Sequence, residues 1–185
     1  MICLGIESTA HTLGIGIIND KGEILSNKKH TLETETGGIH PIKAAQAHEL
    51  SYDSLIRSAL KESKLTMKDI DLISFSQGPG LGQCLRRGAV IARSLSLLYD
   101  IPIIGVNHCV AHVEIGKKLC NLKNPVTLYT SGANTQIIAQ SNGKYRIFGE
   151  TMDIGVGNFL DNIGRYMNLG FPGGPKIEKL AEKGS

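Results

Sequence analysis

His108 and His112 stand four residues apart, the spacing at which an α-helix presents two side chains on one face. A rise of about 1.5 Å per residue separates the imidazoles by about 6 Å along that face. A helix offers two nitrogen donors to one metal ion in this way. A metal site needs at least a third ligand, and the segment lacks the glutamate of a His-Glu-x-x-His helix. On spacing alone, a metal pair competes with two ordinary helix histidines, one capping and one half buried.

Other residues suit a polar ligand. The run Tyr129-Thr130-Ser131-Gly132-Ala133-Asn134-Thr135-Gln136 places a small-residue turn where backbone N–H groups and hydroxyls can meet a phosphate, although turn propensity explains the same residues. Gly170-Phe171-Pro172-Gly173-Gly174-Pro175 leads into a helix start, a place where dipole and open amides favour anions. It is neither a phosphate loop nor a dinucleotide fingerprint. Glu178, one turn into that helix, and Asp161, on the preceding helix, are candidates to accept hydrogen bonds from ribose hydroxyls. Glu7 ends the first apolar run, and a carboxylate beside phosphates is costly unless a cation or water bridges it. His40 and His48 flank the start of a long helix; they read most simply as surface residues, with a substrate contact by one of them as the alternative.

These groups need a scaffold, and the hydrophobic pattern supplies one. Residues 2–7, 13–18 and 24–32 predict a three-strand meander. Ala44, Ala47, Tyr52, Leu55, Ile56, Ala59 and Leu60 then follow helical spacing, with Pro41 in the first turn. A buried strand is expected over 70–75 and a helix over 82–98, mostly small and apolar and hence buried against the sheet. Another strand is expected over 101–106, then a helix capped by Asn107 that carries both histidines. Pro125 marks a domain boundary. Strands are expected over 126–130, 135–140 and 144–148, with Asn142-Gly143 as a hairpin turn, and helices over 156–168 and 174–183. A meander followed by a helix thus occurs twice. The expected class is α/β with two ribonuclease-H-like lobes, 1–124 and 125–185, the second incomplete and the chain a C-terminally truncated piece of a longer protein.

Composition narrows the classes. The chain has 185 residues, 41% hydrophobic and 20% charged, which argues against disorder. No apolar run is long enough to span a bilayer, and the first residues lack the basic region of a secretory signal, so a cytoplasmic setting is expected. Cys3, Cys84, Cys109 and Cys120 show no Cys-x-x-Cys pairing, which disfavours a zinc–cysteine site. The net charge of +3 is too small to imply nucleic acid by itself. The 22 glycines cluster in turns suited to wrapping a polar ligand.

Six motifs in one order carry a resemblance: Gly5-Ile6-Glu7-Ser8-Thr9-Ala10-His11-Thr12, Gly37-Gly38-Ile39-His40-Pro41, Gln77-Gly78-Pro79-Gly80-Leu81-Gly82, Asn107-His108-x-x-x-His112, Ser131-Gly132-Ala133-Asn134-Thr135-Gln136 and Gly170-Phe171-Pro172-Gly173-Gly174-Pro175-Lys176-Ile177-Glu178. Together they resemble the catalytic subunit family of the universal tRNA N6-threonylcarbamoyladenosine synthases, once termed O-sialoglycoprotein endopeptidases. The Ser-Gly-Ala-Asn form is similar to the archaeal and eukaryotic KEOPS branch. The resemblance implies the two-lobe architecture of actin, heat-shock 70 and acetate kinase, with nucleotide held between lobes. It implies acyl transfer from threonylcarbamoyl-adenylate to adenosine 37 of tRNA, assisted by one divalent metal ion, iron or zinc. By the same resemblance His108, His112 and Tyr129 are metal ligands, with a further aspartate outside this sequence. Glu7, His108 and His112 are catalytic, and Tyr129, Ser131, Gly132, Asn134, Asp161, Gly174 and Glu178 line the adenine-nucleotide pocket. The implied partners are tRNA, a small kinase-like ATPase subunit and a small dimerising subunit of the KEOPS complex, with no membrane. Two other classes stay open: an ATP-dependent small-molecule kinase of the same architecture, and a non-catalytic nucleotide-binding scaffold.

Overall fold

Alternation of period two builds the first sheet. Leu4 and Ile6 on β1 (Ile2–Glu7), Leu13, Ile15 and Ile17 on β2 (Thr12–Asn19), and Ile73 on β4 (Leu72–Gly78) are all buried, five of them completely. Each such side chain removed from water contributes about 1.5–3 kcal/mol. With β3 (Ile24–Thr31) and β5 (Ile103–Asn107) they form a five-stranded sheet in the order β3-β2-β1-β4-β5. β1–β2 and β2–β3 pair antiparallel, while β1–β4 and β4–β5 pair parallel. The computed structural model describes residues 1–33 and 39–184, so the expected Gly37-Gly38 turn lies outside the described residues.

Two helices cover this sheet. α1 (Pro41–Ser63) packs over β2 and β3, and α2 (Gly82–Tyr99) over β4. Ile56 and Ala59 of α1 and Ile91 and Ala92 of α2 join the strand residues in one core. α2 lies against the sheet as expected. Only the stripe Cys84, Gly88, Ile91 and Ala92 is buried, while Val90, Leu97 and Leu98 are exposed. A helix lying on a sheet hides one stripe, whatever the composition of its other side. His48 corrects the surface reading: it is 1% exposed and falls on the buried stripe of α1 with Ala44, Ala45, Ser51 and Ile56.

Among the described residues the chain forms two compact units, residues 1–33 with 39–111, and residues 112–184. The division falls inside α3 (His108–Leu119), ahead of the boundary expected at Pro125. The second unit holds an antiparallel sheet, β6 (Thr127–Thr130), β7 (Thr135–Ser141) and β8 (Lys144–Glu150), followed by α4 (Val156–Tyr166) and α5 (Gly174–Ala181). Asn142 and Gly143 turn β7 into β8 with φ of 51° and 71°, the left-handed pair that a two-residue hairpin demands. Among the described residues no helix is long and apolar enough to cross a membrane.

Candidate functional site

The turn after β1 is built from small residues because little else fits. The Ser8 side chain is fully buried, and a Cβ on Gly88 of α2 would lie 1.9 Å from its Oγ. A Cβ on Gly80 would lie 2.6 Å from the Thr9 carbonyl oxygen. The Ser8 amide donates to Ser76 Oγ at 3.0 Å, and the Leu81 amide donates to the Thr9 carbonyl at 2.7 Å. The Gln77–Gly82 segment therefore serves as a bed for the Ser8–Thr9 turn.

This turn sets Glu7. Its carboxylate accepts the Thr9 amide at 2.8 Å and, in a very short contact, the Thr9 hydroxyl. The same oxygen lies 3.8 Å from His108 Nδ1. His108 opens α3, and Asn107 caps that helix as expected, its side-chain carbonyl accepting the Val110 amide at 3.1 Å. The structure thus brings Glu7 and His108 together. His112 follows one turn later on the same helix.

In the second unit, His112 and Tyr129 meet edge to face, with ring centroids 5.8 Å apart. Tyr129 is 7% exposed on β6, whereas His112 is exposed. Among the described residues no three His, Cys, Asp or Glu side chains gather as a metal-holding group. Within this unit His112 and Tyr129 bring an imidazole and a phenol together, donor types that iron and zinc accept. A polar clasp holds α3 itself. Lys117 Nζ donates to Tyr145 Oη at 2.9 Å and to Glu114 at 3.0 Å, and the Tyr145 hydroxyl donates to Glu114 in a very short bond. That bond is the main reason the Glu114 carboxyl is held below the usual carboxylate range, with Lys117 assisting.

The Ser131–Asn134 turn is closed on itself and on α4. Ser131 N–H donates to the Asn134 carbonyl at 2.8 Å, and Asn134 N–H to Ser131 Oγ at 2.9 Å. The first amides of α4 are also engaged: Val156 donates to Thr135 Oγ1, Gly157 to the Ser131 carbonyl and Asn158 to the Gly132 carbonyl. The start of α4 thus grips this turn, whose tip residues Gly132 and Ala133 are exposed. Asp161 Oδ1 accepts the Gly173 amide at 2.7 Å, so it fixes the glycine-rich approach to α5. Gly174 begins α5, and Glu178 is exposed one turn further on.

Sequence reasoning missed Ser76 and Gly88 as supports of the first turn, and misplaced His48. Helical spacing carried a signal for His48, four residues from both Ala44 and Tyr52 on the apolar stripe. Gly88 sits mid-helix, which costs stability unless close packing requires it, and that was its signal. His40 caps α1, its Nδ1 accepting the Lys43 amide at 3.5 Å.

Residues 23–185 match the family model described as tRNA N6-adenosine threonylcarbamoyltransferase, TsaD. The chain belongs to this family. It is 58% identical over 184 residues to the tRNA N6-adenosine threonylcarbamoyltransferase of Thermococcus sibiricus, a match covering 100% of this chain and 56% of that protein. It is 57% identical to a probable bifunctional tRNA threonylcarbamoyladenosine biosynthesis protein of Methanosphaera stadtmanae, over 98% of this chain and 34% of that protein. The chain thus spans about half the length, or less, of these curated relatives. Among solved structures, YeaZ from Pseudomonas aeruginosa superposes with a TM-score of 0.56 at 13% identity, covering 81% of this chain and 65% of that one. At that identity the shared feature is the fold alone.

Proposed function

We propose that this chain forms part of a tRNA N6-adenosine threonylcarbamoyltransferase, moving threonylcarbamoyl from threonylcarbamoyl-adenylate to adenosine 37 of tRNA. The carrying observation is the 58% identity along 100% of the chain to a protein of that name. In the reaction the adenosine N6 forms a bond to the carbamoyl carbon. The bond from that carbon to the adenylate phosphate oxygen breaks, AMP leaves with the electron pair, and N6 loses a proton. An exocyclic adenine amine is a poor nucleophile, so much of the rate must come from positioning, with the base unstacked from the anticodon loop.

His108, His112 and Tyr129 would hold one divalent metal ion, iron or zinc. Bound there, it supplies Lewis-acid polarisation of the carbamoyl carbonyl and charge compensation for the adenylate. Glu7, tied back by Thr9, orients the His108 ring through its charge. Ser131, Gly132, Asn134 and Gly174 line the adenylate subsite. Asp161 Oδ2 and Glu178 accept the ribose hydroxyls. We place the chain in the cytoplasm within a KEOPS-type assembly, with a small kinase-like ATPase and a small dimerising subunit. The bifunctional relatives, of which this chain covers 34%, are in keeping with a second activity working beside this one.

The test is reconstitution of the full-length protein with its partners, metal, threonylcarbamoyl-adenylate and tRNA, followed by mass spectrometry of tRNA nucleosides. Threonylcarbamoyladenosine as product supports the reading. A phosphorylated small molecule made from ATP without tRNA would replace it with the kinase reading, and nucleotide binding with no product would leave a scaffold.

A further inference from the structure

The turn that carries Glu7 toward His108 is held at three successive carbonyls. The Thr9 carbonyl accepts the Leu81 amide at 2.7 Å, and the His11 carbonyl accepts the Leu32 amide at 2.9 Å. Both donors are main chain, which nearly any residue provides. The Ala10 carbonyl, between them, is held by a side chain, His48 Nε2, at 2.9 Å. Of these three carbonyl tethers it is the one that depends on residue identity. The geometry points to His48 as a positioning residue for the transfer reaction: from the buried stripe of α1 it fixes the Ser8–His11 turn, and through Thr9 it fixes Glu7 against His108.

The placement is unusual for a side chain with only a packing role. His48 is 1% exposed among Ala44, Ala45 and Ile56, where an aliphatic residue would fill the space without burying a polar ring. With a carbonyl as partner, Nε2 is the donor and the ring carries its proton there. Burial holds the ring below its ordinary histidine pKa, outweighing the opposing effects of the Ala10 bond and the Glu7 charge, so the donor is the neutral Nε2–H form. The path onward is short. Ala10 follows Thr9, Thr9 donates to Glu7 through both its amide and its hydroxyl, and Glu7 Oε1 lies 3.8 Å from His108 Nδ1. His48 touches neither Glu7 nor His108 in this chain of contacts, so its effect is on geometry.

This inference rests on the proposed transfer activity, and the experiment separates the two. Three variants of the full-length protein, His48→Gln, His48→Asn and His48→Leu, are assayed in the reconstituted complex for kcat and KM. Hydrogen exchange of the amides of residues 8–11 is followed in parallel. A glutamine amide reaches the position of Nε2; an asparagine amide stops short of it. His48→Leu and His48→Asn are expected to lower kcat about tenfold to hundredfold with KM for tRNA little changed, and to speed exchange in residues 8–11 alone. His48→Gln is expected to restore most of kcat and the exchange protection. Wild-type kcat in His48→Leu would overturn the inference. So would His48→Gln falling as far as His48→Asn, or exchange rising across the whole first unit. If the wild-type complex makes no threonylcarbamoyladenosine, the proposed function fails, and the exchange comparison alone then decides whether His48 holds the turn.

Discussion

His112 of α3 and Tyr129 of β6 meet with ring planes at 60° and centroids 5.8 Å apart, the tyrosine being the one buried residue of its strand. If both rings hold the metal, Tyr129→Phe removes a ligand atom and leaves the packing. Metal content of the purified full-length protein, measured by elemental mass spectrometry against an excess of chelator, should fall at least about tenfold. Unchanged metal retention would remove Tyr129 from the donor set.

Gly88 and Ser8 form a matched contact. Gly88→Ala places a methyl where the Ser8 hydroxyl already sits, and overpacking of this kind costs about 1–3 kcal/mol. Ser8→Gly vacates that space. Denaturant unfolding of the two single variants and the double variant should show Gly88→Ala rescued in part by Ser8→Gly, a coupling of about 1 kcal/mol or more. Additive losses would mean the two residues act independently.

Tyr145 gives the stability of α3 a pH dependence. The Glu114 carboxyl is held low chiefly by the Tyr145 hydroxyl. A carboxyl depressed on folding contributes stability above its unfolded pKa, about 4.3, and that contribution disappears as pH falls through the lower folded value. Tyr145→Phe should therefore reduce stability at neutral pH, and the gap from wild type should close below about pH 4. Unfolding curves across pH 2.5–7, taken at roughly equal steps, check this. A gap of constant size would assign the effect to lost packing instead.

Asp161 has two duties in this account, holding Gly173 through Oδ1 and meeting ribose through Oδ2. Asp161→Asn keeps an acceptor for the Gly173 amide, while Asp161→Ala loses it at a cost of about 1–3 kcal/mol. Calorimetric titration with an adenine nucleotide should show weakened binding in both variants, with loss of thermal stability confined to Asp161→Ala. Wild-type affinity in Asp161→Asn would restrict the residue to its structural bond.

Much of the scaffold was legible because its signals are local. Alternation gave β1, β2 and β4, the Asn142-Gly143 pair gave the β7–β8 turn, and Asn107 marked the start of α3. What stayed hidden depends on contacts between distant segments. Ser8 and Gly88 share one space across most of the first unit, and nothing near either residue in sequence announces the other. His48 read as a surface residue because histidine is only intermediate in its tendency to be buried; the stripe periodicity pointed inward, and the Ala10 carbonyl that satisfies its ring is visible only once α1 lies against the turn. The Ser131–Asn134 turn suggested open backbone donors, yet several close on the turn itself and α4 grips its carbonyls. Hydrogen-bond allocation of that kind follows from packing rather than composition.

The most direct measurement of the central claim is threonylcarbamoyladenosine formation by the metal-loaded full-length protein and its partners, compared between wild type and His112→Ala, with tRNA affinity measured on the same samples. Wild type should form product, and the variant should lose about hundredfold or more in transfer at nearly unchanged tRNA affinity. Absence of product from wild type, or transfer and tRNA affinity falling together, would contradict that claim.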